Sequence, residues 1–333
     1  MAILNSAMVA TAVWVINDWT RSAWSTAAAA TAILWYLDAR PLIIADLWMP
    51  YWYVPAFLCF IISAASVAAG RARHVWILTV TGCLLIHGHA CFLLFVPVTV
   101  AAAAAAAVFW SASPSPLQAI RRFLGERKRT WIPAAVICAV FAIPIVANVI
   151  LHWPGQFGGY LSYARSVHAG HHPLSAVARY VLWYWWPGHA REGLAVAAGT
   201  FALALGVTLR LGDARLRRFL LAALGVNVLV TVLMLYYVAR GIDTLNYPYM
   251  GYFYWSVPLL TAVVAVTGLR AAAVRAGGRL RTAAAGAIAA AAGAAIVAAL
   301  VVPGMRMDVS DNEPVLVTTM AALAGREPGH PVI

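Results

Sequence analysis

The chain has 333 residues, of which 63% are hydrophobic and 10% are charged, and its formal net charge is +12. A mean hydropathy of +0.82 excludes a soluble domain of ordinary surface chemistry. The composition therefore predicts a polytopic α-helical membrane protein. Its positive charge is expected to face anionic lipid headgroups, and we do not expect nucleic acid as a partner.

Ten apolar segments follow one another along the chain, and each is predicted to cross the membrane as a helix. They are residues 1–16, 23–37, 50–69, 75–87, 90–110, 131–151, 192–209, 219–239, 251–269 and 283–303. Several are shorter than the roughly 20 residues that a spanning helix usually needs. The sequence thus predicts an all-α transmembrane bundle of about ten segments over residues 1–303, followed by a tail over 304–333.

Basic residues are concentrated in alternate connectors between these segments. Sixteen of the 23 Lys and Arg residues lie there: Arg21, Arg71, Arg73, Arg121, Arg122, Arg127, Lys128, Arg129, Arg210, Arg215, Arg217, Arg218, Arg270, Arg275, Arg279 and Arg281. The positive-inside rule assigns these connectors to the cytoplasmic side. Long alanine runs and a single lysine favour a bacterial source. We therefore expect a multi-pass protein of the bacterial plasma membrane whose functional face is extracytoplasmic.

Features at both ends of the sequence predict that it belongs to a longer protein. This topology starts Met1 on the outer side without a charged flank or a signal peptide, which predicts that upstream helices are missing. The tail over 304–333 ends with an apolar pair after a Gly-Pro-rich turn, a pattern typical of the start of a strand. It therefore predicts the start of a soluble domain. The sequence is therefore expected to be an internal fragment or a naturally shortened relative of a longer protein.

The first candidate site lies in the outer connector between the second and third segments. Asp46 could act as a general base or metal ligand, or it could cap the third segment. Trp48 and Tyr51 could stack on a sugar ring or form an interfacial belt. Arg40 is a candidate contact for a phosphate. An acid so close to hydrocarbon is costly unless it is used or paired, which favours a functional role for Asp46.

Two histidines, His87 and His89, occupy the short turn between the fourth and fifth segments. Two ligands alone do not make a zinc site, which normally needs three or four. Recognition of a phosphate or a sugar hydroxyl is the functional interpretation, and ordinary interfacial histidines are the alternative.

The long outer loop over 152–190 is predicted to be a structured lid because of its length and its Gly and Pro content. His168, His171 and His172 could chelate a divalent metal ion, which is the one cofactor that the sequence suggests. No nearby carboxylate precedes Glu192, so the metal site is the weaker interpretation.

The last outer turn begins with Arg240 and Asp243 and continues into an aromatic run. Arg240 could pair with a substrate phosphate or simply with Asp243. We include both residues among the candidate substrate contacts.

Taken in order, three motifs resemble a group of actinobacterial multi-pass proteins that belongs to the C-type glycosyltransferase superfamily. They are the stretch from Ala45 to Tyr51, the helix start at Val54-Pro55, and the turn that ends at His89. The chain departs from the group's pattern at three positions, Leu47, Met49 and His87, where Pro, Asn and Gln are usual. Further short motifs extend the correspondence over most of residues 1–270.

The resemblance implies transfer of a sugar from a polyprenyl-phosphate donor to a glycan or protein acceptor of the cell envelope, on the extracytoplasmic face. It also implies an outer-loop Asp as catalytic base, for which Asp46 is the candidate in this chain. The leading catalytic acid of such enzymes lies in a first outer loop that would precede this sequence. The family comparison therefore also predicts a chain that lacks its N-terminal catalytic loop.

Two other classes of protein remain open. A transporter or lipid flippase would use the outer His, Arg and Asp residues as a binding vestibule, but carriers usually place polar residues near the bilayer midplane. Here Asn227 is the main polar residue within a span. A non-catalytic membrane subunit of an envelope-assembly complex would keep the fold without the acid motif.

Overall fold

The computed structural model describes residues 2–275, except for residues 39, 41, 46–47, 112–114, 116, 119–120, 122–127, 156–157, 160–161 and 163–171. All regular secondary structure within the described residues is helical. Helices satisfy their own backbone N–H and C=O groups, which a hydrocarbon environment requires of any spanning segment. The prediction of an all-α fold is confirmed for this part of the chain.

The described residues form eleven α-helices and two 3₁₀ helices. The α-helices are α1 (Ala2–Thr20), α2 (Ala23–Asp38), α3 (Leu42–Ala45), α4 (Met49–Ala68), α5 (Val75–Gly88), α6 (Phe92–Phe109), α7 (Lys128–Leu151), α8 (Leu174–Trp183), α9 (Ala190–Leu209), α10 (Ala214–Arg240) and α11 (Ser256–Arg275). The 3₁₀ helices are Ala72–His74 and Pro248–Trp255.

Within the described ranges, six helical segments are long and apolar enough to cross a membrane: Met49–Ala68, Phe92–Phe109, Thr130–Leu151, Ala190–Leu209, Ala214–Arg240 and Pro248–Ala273. This supports a membrane protein. Each of the first nine predicted segments coincides with a helix, but α2 and α5 have only 16 and 14 residues. The tenth, 283–303, and the predicted tail over 304–333 lie outside the described residues.

The helix α4 is the centre of the bundle. Of its most apolar 18 residues, 94% are buried, and it packs against α1, α5, α6, α10 and α11. Pro50 lies in its first turn, where the missing N–H of proline costs nothing. A helix that is apolar on all sides is suited to this position because every face meets another helix.

The outer helices differ in how much surface they bury. The helix α7 packs mainly on α5, and only 6% of its most apolar stretch is buried. On the other side, α9 packs on α11, which in turn packs on α2. The largely exposed apolar surface of α7 is what a lipid-facing helix would present.

The helices alternate in direction, so the connectors separate into two ends. At one end Asp18 pairs with Arg71 and Arg73, and Arg215 donates to the Asp18 carbonyl oxygen. We call this the basic end. At the other, the aromatic end, Trp48 and Tyr184 both meet the 3₁₀ helix Pro248–Trp255. The gathering of described basic connectors at one end agrees with the predicted topology.

Candidate functional site at the aromatic end

Seven aromatic side chains form a continuous cluster at the aromatic end. The aromatic cluster consists of Trp48, Tyr51, Trp183, Tyr184, Tyr249, Tyr252 and Trp255. Tyr252 stacks on Trp255 with ring centroids 4.3 Å apart, and Tyr51 lies 5.3 Å from Tyr252. Three separate chain segments supply these rings, so the cluster exists only in the folded bundle.

The 3₁₀ helix Pro248–Trp255 is held in place by hydroxyl groups of the neighbouring segment. Tyr184 donates to the Pro248 carbonyl oxygen at 2.6 Å, and Tyr180 donates to the Tyr247 carbonyl oxygen at 3.0 Å. Burial raises the pKa of Tyr180 to about 12, which keeps its hydroxyl protonated as a donor. Gly251 allows this close approach because a Cβ at that position would collide with the Tyr184 hydroxyl.

The guanidinium of Arg40 lies beside the aromatic cluster, in the turn that links α2 to α3. It is 4.2 Å from the Tyr36 ring centroid and 5.2 Å from that of Trp255, and the residue is only 8% exposed. Aromatic faces attract a guanidinium, more strongly where water is excluded. Arg40, predicted as a phosphate contact, is therefore a buried cation between two rings.

The first helix, α1, holds the segment that follows Arg40. Asn5 Nδ2 donates to the Ile43 carbonyl oxygen at 3.0 Å, and Asn5 is fully buried. The start of α1 thus holds α3.

Trp48 forms the open side of the cluster. It is 46% exposed, lies 5.2 Å from Tyr249, and meets Tyr51 edge to face at 5.5 Å. The structure thus places the predicted contacts Trp48 and Tyr51 in one cluster, which Arg40 contacts through Trp255. This end of the bundle therefore presents a partly exposed indole and holds a buried cation against Trp255.

His89 occupies the end of α5, where its geometry defines the roles of its two ring nitrogens. Its Nδ1 accepts from the Cys91 backbone N–H at 3.2 Å, so Nε2 carries the proton of the neutral ring. Desolvation lowers the pKa of His89, which keeps the ring neutral. Because His89 is exposed, its Nε2–H group can donate a hydrogen bond to a ligand.

His87 and Tyr53 flank this turn. Tyr53 donates its hydroxyl to the Gly88 carbonyl oxygen at 2.5 Å, which anchors the turn to α4. The exposed imidazole of His87 meets Phe141 of α7 edge to face at 5.4 Å. None of these contacts joins His87 to the aromatic cluster.

Several predicted site residues fall outside the described residues or apart from the cluster. Asp46, His168 and His171 lie outside the described ranges. His172 Nε2 lies 2.8 Å from the Ile242 carbonyl oxygen, which ties the loop to the turn after α10. Arg240 and Asp243 are exposed at the end of α10 and in that turn.

No group of three or more His, Cys, Asp or Glu side chains suited to a metal ion occurs among the residues that the structure describes. Because His168 and His171 are not among them, the predicted metal site remains untested.

Sequence reasoning missed the residues that surround Arg40. Tyr36 lies four residues before Arg40, a spacing that brings side chains together on a helix, and this signal was available. The contact with Trp255 joins positions more than 200 residues apart, and the sequence carried no signal for it.

Comparison with family models, curated proteins and solved structures gave no match to this chain. The resemblance to C-type glycosyltransferases therefore remains a prediction based on short motifs.

Proposed function

We propose that this chain is a membrane glycosyltransferase. It would transfer a sugar from a polyprenyl-phosphate donor to a glycan or protein acceptor of the cell envelope, on the extracytoplasmic face. The observation that carries the proposal is the buried Arg40 guanidinium between Tyr36 and Trp255, in contact with the aromatic cluster that also contains the partly exposed Trp48.

The two parts of this site suit the two parts of the proposed donor. A guanidinium binds phosphate through paired, charge-assisted hydrogen bonds. The flat faces of Trp48 and Tyr51 offer apolar surface to the face of a sugar ring. Trp48 and Tyr51 lie at the start of α4, a helix of membrane length, where the headgroup of a lipid-linked donor would reside.

The chemistry requires a base as well as a binding site. In the proposed reaction Asp46 takes the proton of the acceptor hydroxyl while the bond between the sugar and the donor phosphate breaks. The released lipid phosphate keeps that oxygen and the negative charge that Arg40 would stabilise. Asp46 is assigned from the sequence motif, two positions before Trp48.

Binding can be tested before any reaction is known. Farnesyl phosphate and farnesol differ only in the phosphate, and tryptophan fluorescence of the purified protein reports binding of either. We expect the wild type to prefer farnesyl phosphate. Arg40→Gln should weaken phosphate binding on the order of ten- to a hundredfold, whereas Arg191→Gln, an exposed residue of α9, should not.

Transfer is tested with a panel of radiolabelled polyprenyl-phosphate sugars and a cell-envelope acceptor fraction. Wild-type membranes should move label from one of these donors, and Asp46→Asn should abolish the transfer without loss of farnesyl phosphate binding. Asp38→Asn, an exposed carboxylate at the end of α2, serves as the matched control. Transfer by Asp46→Asn at the wild-type rate would remove Asp46 from the mechanism, and no transfer from any donor would contradict the enzyme proposal.

The polar residue in the middle of the bundle gives little support to the transporter alternative. Asn227, the polar residue expected to mark a transport path, donates to Thr261 Oγ1 at 3.0 Å and to the Val257 carbonyl oxygen at 3.2 Å. These bonds join α10 to α11, which is a packing role. The proposal therefore keeps the function at the aromatic end.

A further inference from the structure

The basic end holds a compact set of side chains that the proposed function does not use. This basic-end cluster consists of Asp18, Trp19, Arg71, Arg73, His74 and Arg215. The Asp18 carboxylate pairs with the guanidinium groups of both Arg71 and Arg73. The end of α1 and the connector between α4 and α5 therefore meet at one carboxylate, and Arg215 at the start of α10 joins them through the Asp18 carbonyl oxygen.

Aromatic rings fix the positions of these cations. The Arg71 and Arg215 guanidinium groups lie 4.3 Å and 5.4 Å from the Trp19 ring centroid. Trp19 is itself immobilised, because its Nε1 donates to Ser66 Oγ at 2.7 Å and its ring stacks on Phe219 at 5.0 Å. The positive charges are thus held in place before any ligand arrives.

The cluster carries more positive than negative charge. Among the residues that the structure describes, Asp18 is the one carboxylate paired with a guanidinium of this cluster. It pairs with Arg71 and Arg73, whereas Arg215 reaches only its backbone carbonyl oxygen. Asp213, the nearest acid along the chain, caps α10 by accepting from the Arg215 and Leu216 N–H groups. His74 is fully buried and neutral, since burial lowers its pKa to about 4.

One side of the cluster is open. The Arg73 side chain is 55% exposed and lies 5.9 Å from the Trp14 ring centroid, and Trp14 is 44% exposed. Exposed indoles are typical of the depth at which lipid headgroups begin. A partly buried excess of positive charge next to such an indole favours binding of an anion that is held at the depth of the lipid headgroups.

We infer that the basic-end cluster binds the headgroup phosphate of an anionic phospholipid, with Arg73 as the direct contact and Trp14 against the adjoining acyl chain. The ion pair between Arg71 and Asp18 is the scaffold of this site. It is separate from the proposed donor site, which lies at the opposite end of the bundle.

The test is native mass spectrometry of the purified full chain, titrated with phosphatidylglycerol or with phosphatidylcholine. We expect the wild type to retain phosphatidylglycerol about tenfold more tightly, because both lipids carry the phosphate but the choline cation of phosphatidylcholine offsets its charge. Arg73→Gln should lose this preference and Arg73→Lys should keep part of it. Arg210→Gln, an exposed arginine that lies at the same end outside the cluster, should behave like the wild type.

Three results would overturn the inference. The first is equal retention of the two lipids by the wild type. The second is an equal loss in Arg73→Gln and Arg210→Gln, which would indicate diffuse attraction to the whole basic surface. The third is displacement of phosphatidylglycerol by inorganic phosphate at millimolar concentration, which would indicate a site for a soluble anion. A melting temperature of Arg73→Gln close to that of the wild type, measured without anionic lipid, shows that the variant is folded.

Discussion

The two ends of the bundle are organised by different physical interactions. At the basic end one carboxylate joins two arginines, and a third arginine reaches the carbonyl oxygen of the same residue. At the aromatic end stacked rings and tyrosine hydroxyls bonded to backbone carbonyls hold three segments together, with Arg40 as the buried cation. The basic end therefore depends on charge and the aromatic end on shape.

The largest effect is expected from Asp18→Asn at the basic end. It leaves Arg71, whose side chain is 16% exposed, without its carboxylate. Breaking such a buried pair costs about 3 kcal/mol. Asp213→Ala removes only the cap of α10 and should cost about 1 kcal/mol. Unfolding in mixed detergent micelles measures both, and an Asp18→Asn loss no larger than that of Asp213→Ala would contradict the charge-based view.

The next effect is a pH dependence at the same end. The pKa of His74 falls from its ordinary 6.5 to about 4 through burial, so the folded protein favours the neutral ring. A lowered pKa contributes stability that is complete above pH 6.5 and is lost as the pH falls through 4. This corresponds to about 2 kcal/mol between pH 7 and pH 5.

Thermal unfolding between pH 7 and pH 5 checks this prediction. His74→Gln should flatten the pH dependence because it has no proton to gain in this range. The same slope in His74→Gln and in the wild type would assign the pH dependence to other groups.

At the aromatic end, a substitution that adds volume without changing charge should lower the stability of the folded protein. A Cβ at Gly193 would lie 2.5 Å from the Leu182 carbonyl oxygen, so Gly193→Ala must separate α8 from α9. Such overpacking costs about 1–3 kcal/mol. Gly199→Ala, on the same helix with no atom within 4 Å of the new Cβ, should be neutral or slightly stabilising.

Comparison of the two melting temperatures gives the result directly. Equal temperatures for Gly193→Ala and Gly199→Ala would contradict the packing of α8 on α9.

The smallest effect is expected midway between the two ends. Asn227→Ala removes the hydrogen bonds from α10 to Val257 and Thr261, and interhelical bonds of this kind contribute about 0.6 kcal/mol each. Thr79→Val, which removes a bond within α5 alone, is the control. A loss in Asn227→Ala larger than that in Asp18→Asn would reverse the ranking of the three regions.

The sequence predicted the long helices well because each depends on a continuous apolar run, but α8 lies in the stretch 152–190 that was predicted as a loop. The central position of α4 was not predicted, although its segment lacks any charged residue. The α1 and α2 segments are also apolar runs. Hydropathy alone does not show which of several apolar helices lies at the centre of the bundle. The candidate contacts Arg40, Trp48 and Tyr51 were chosen from one connector, and their partner Trp255 comes from a connector far along the chain.

By itself, the sequence determined the membrane class, the helix positions and the separation of basic from aromatic connectors, because these follow from local hydropathy and charge. The tertiary structure alone decided which rings surround Arg40 and which cations share Asp18. Those contacts depend on helix packing between distant segments, and packing is a property of side-chain shape across the whole bundle.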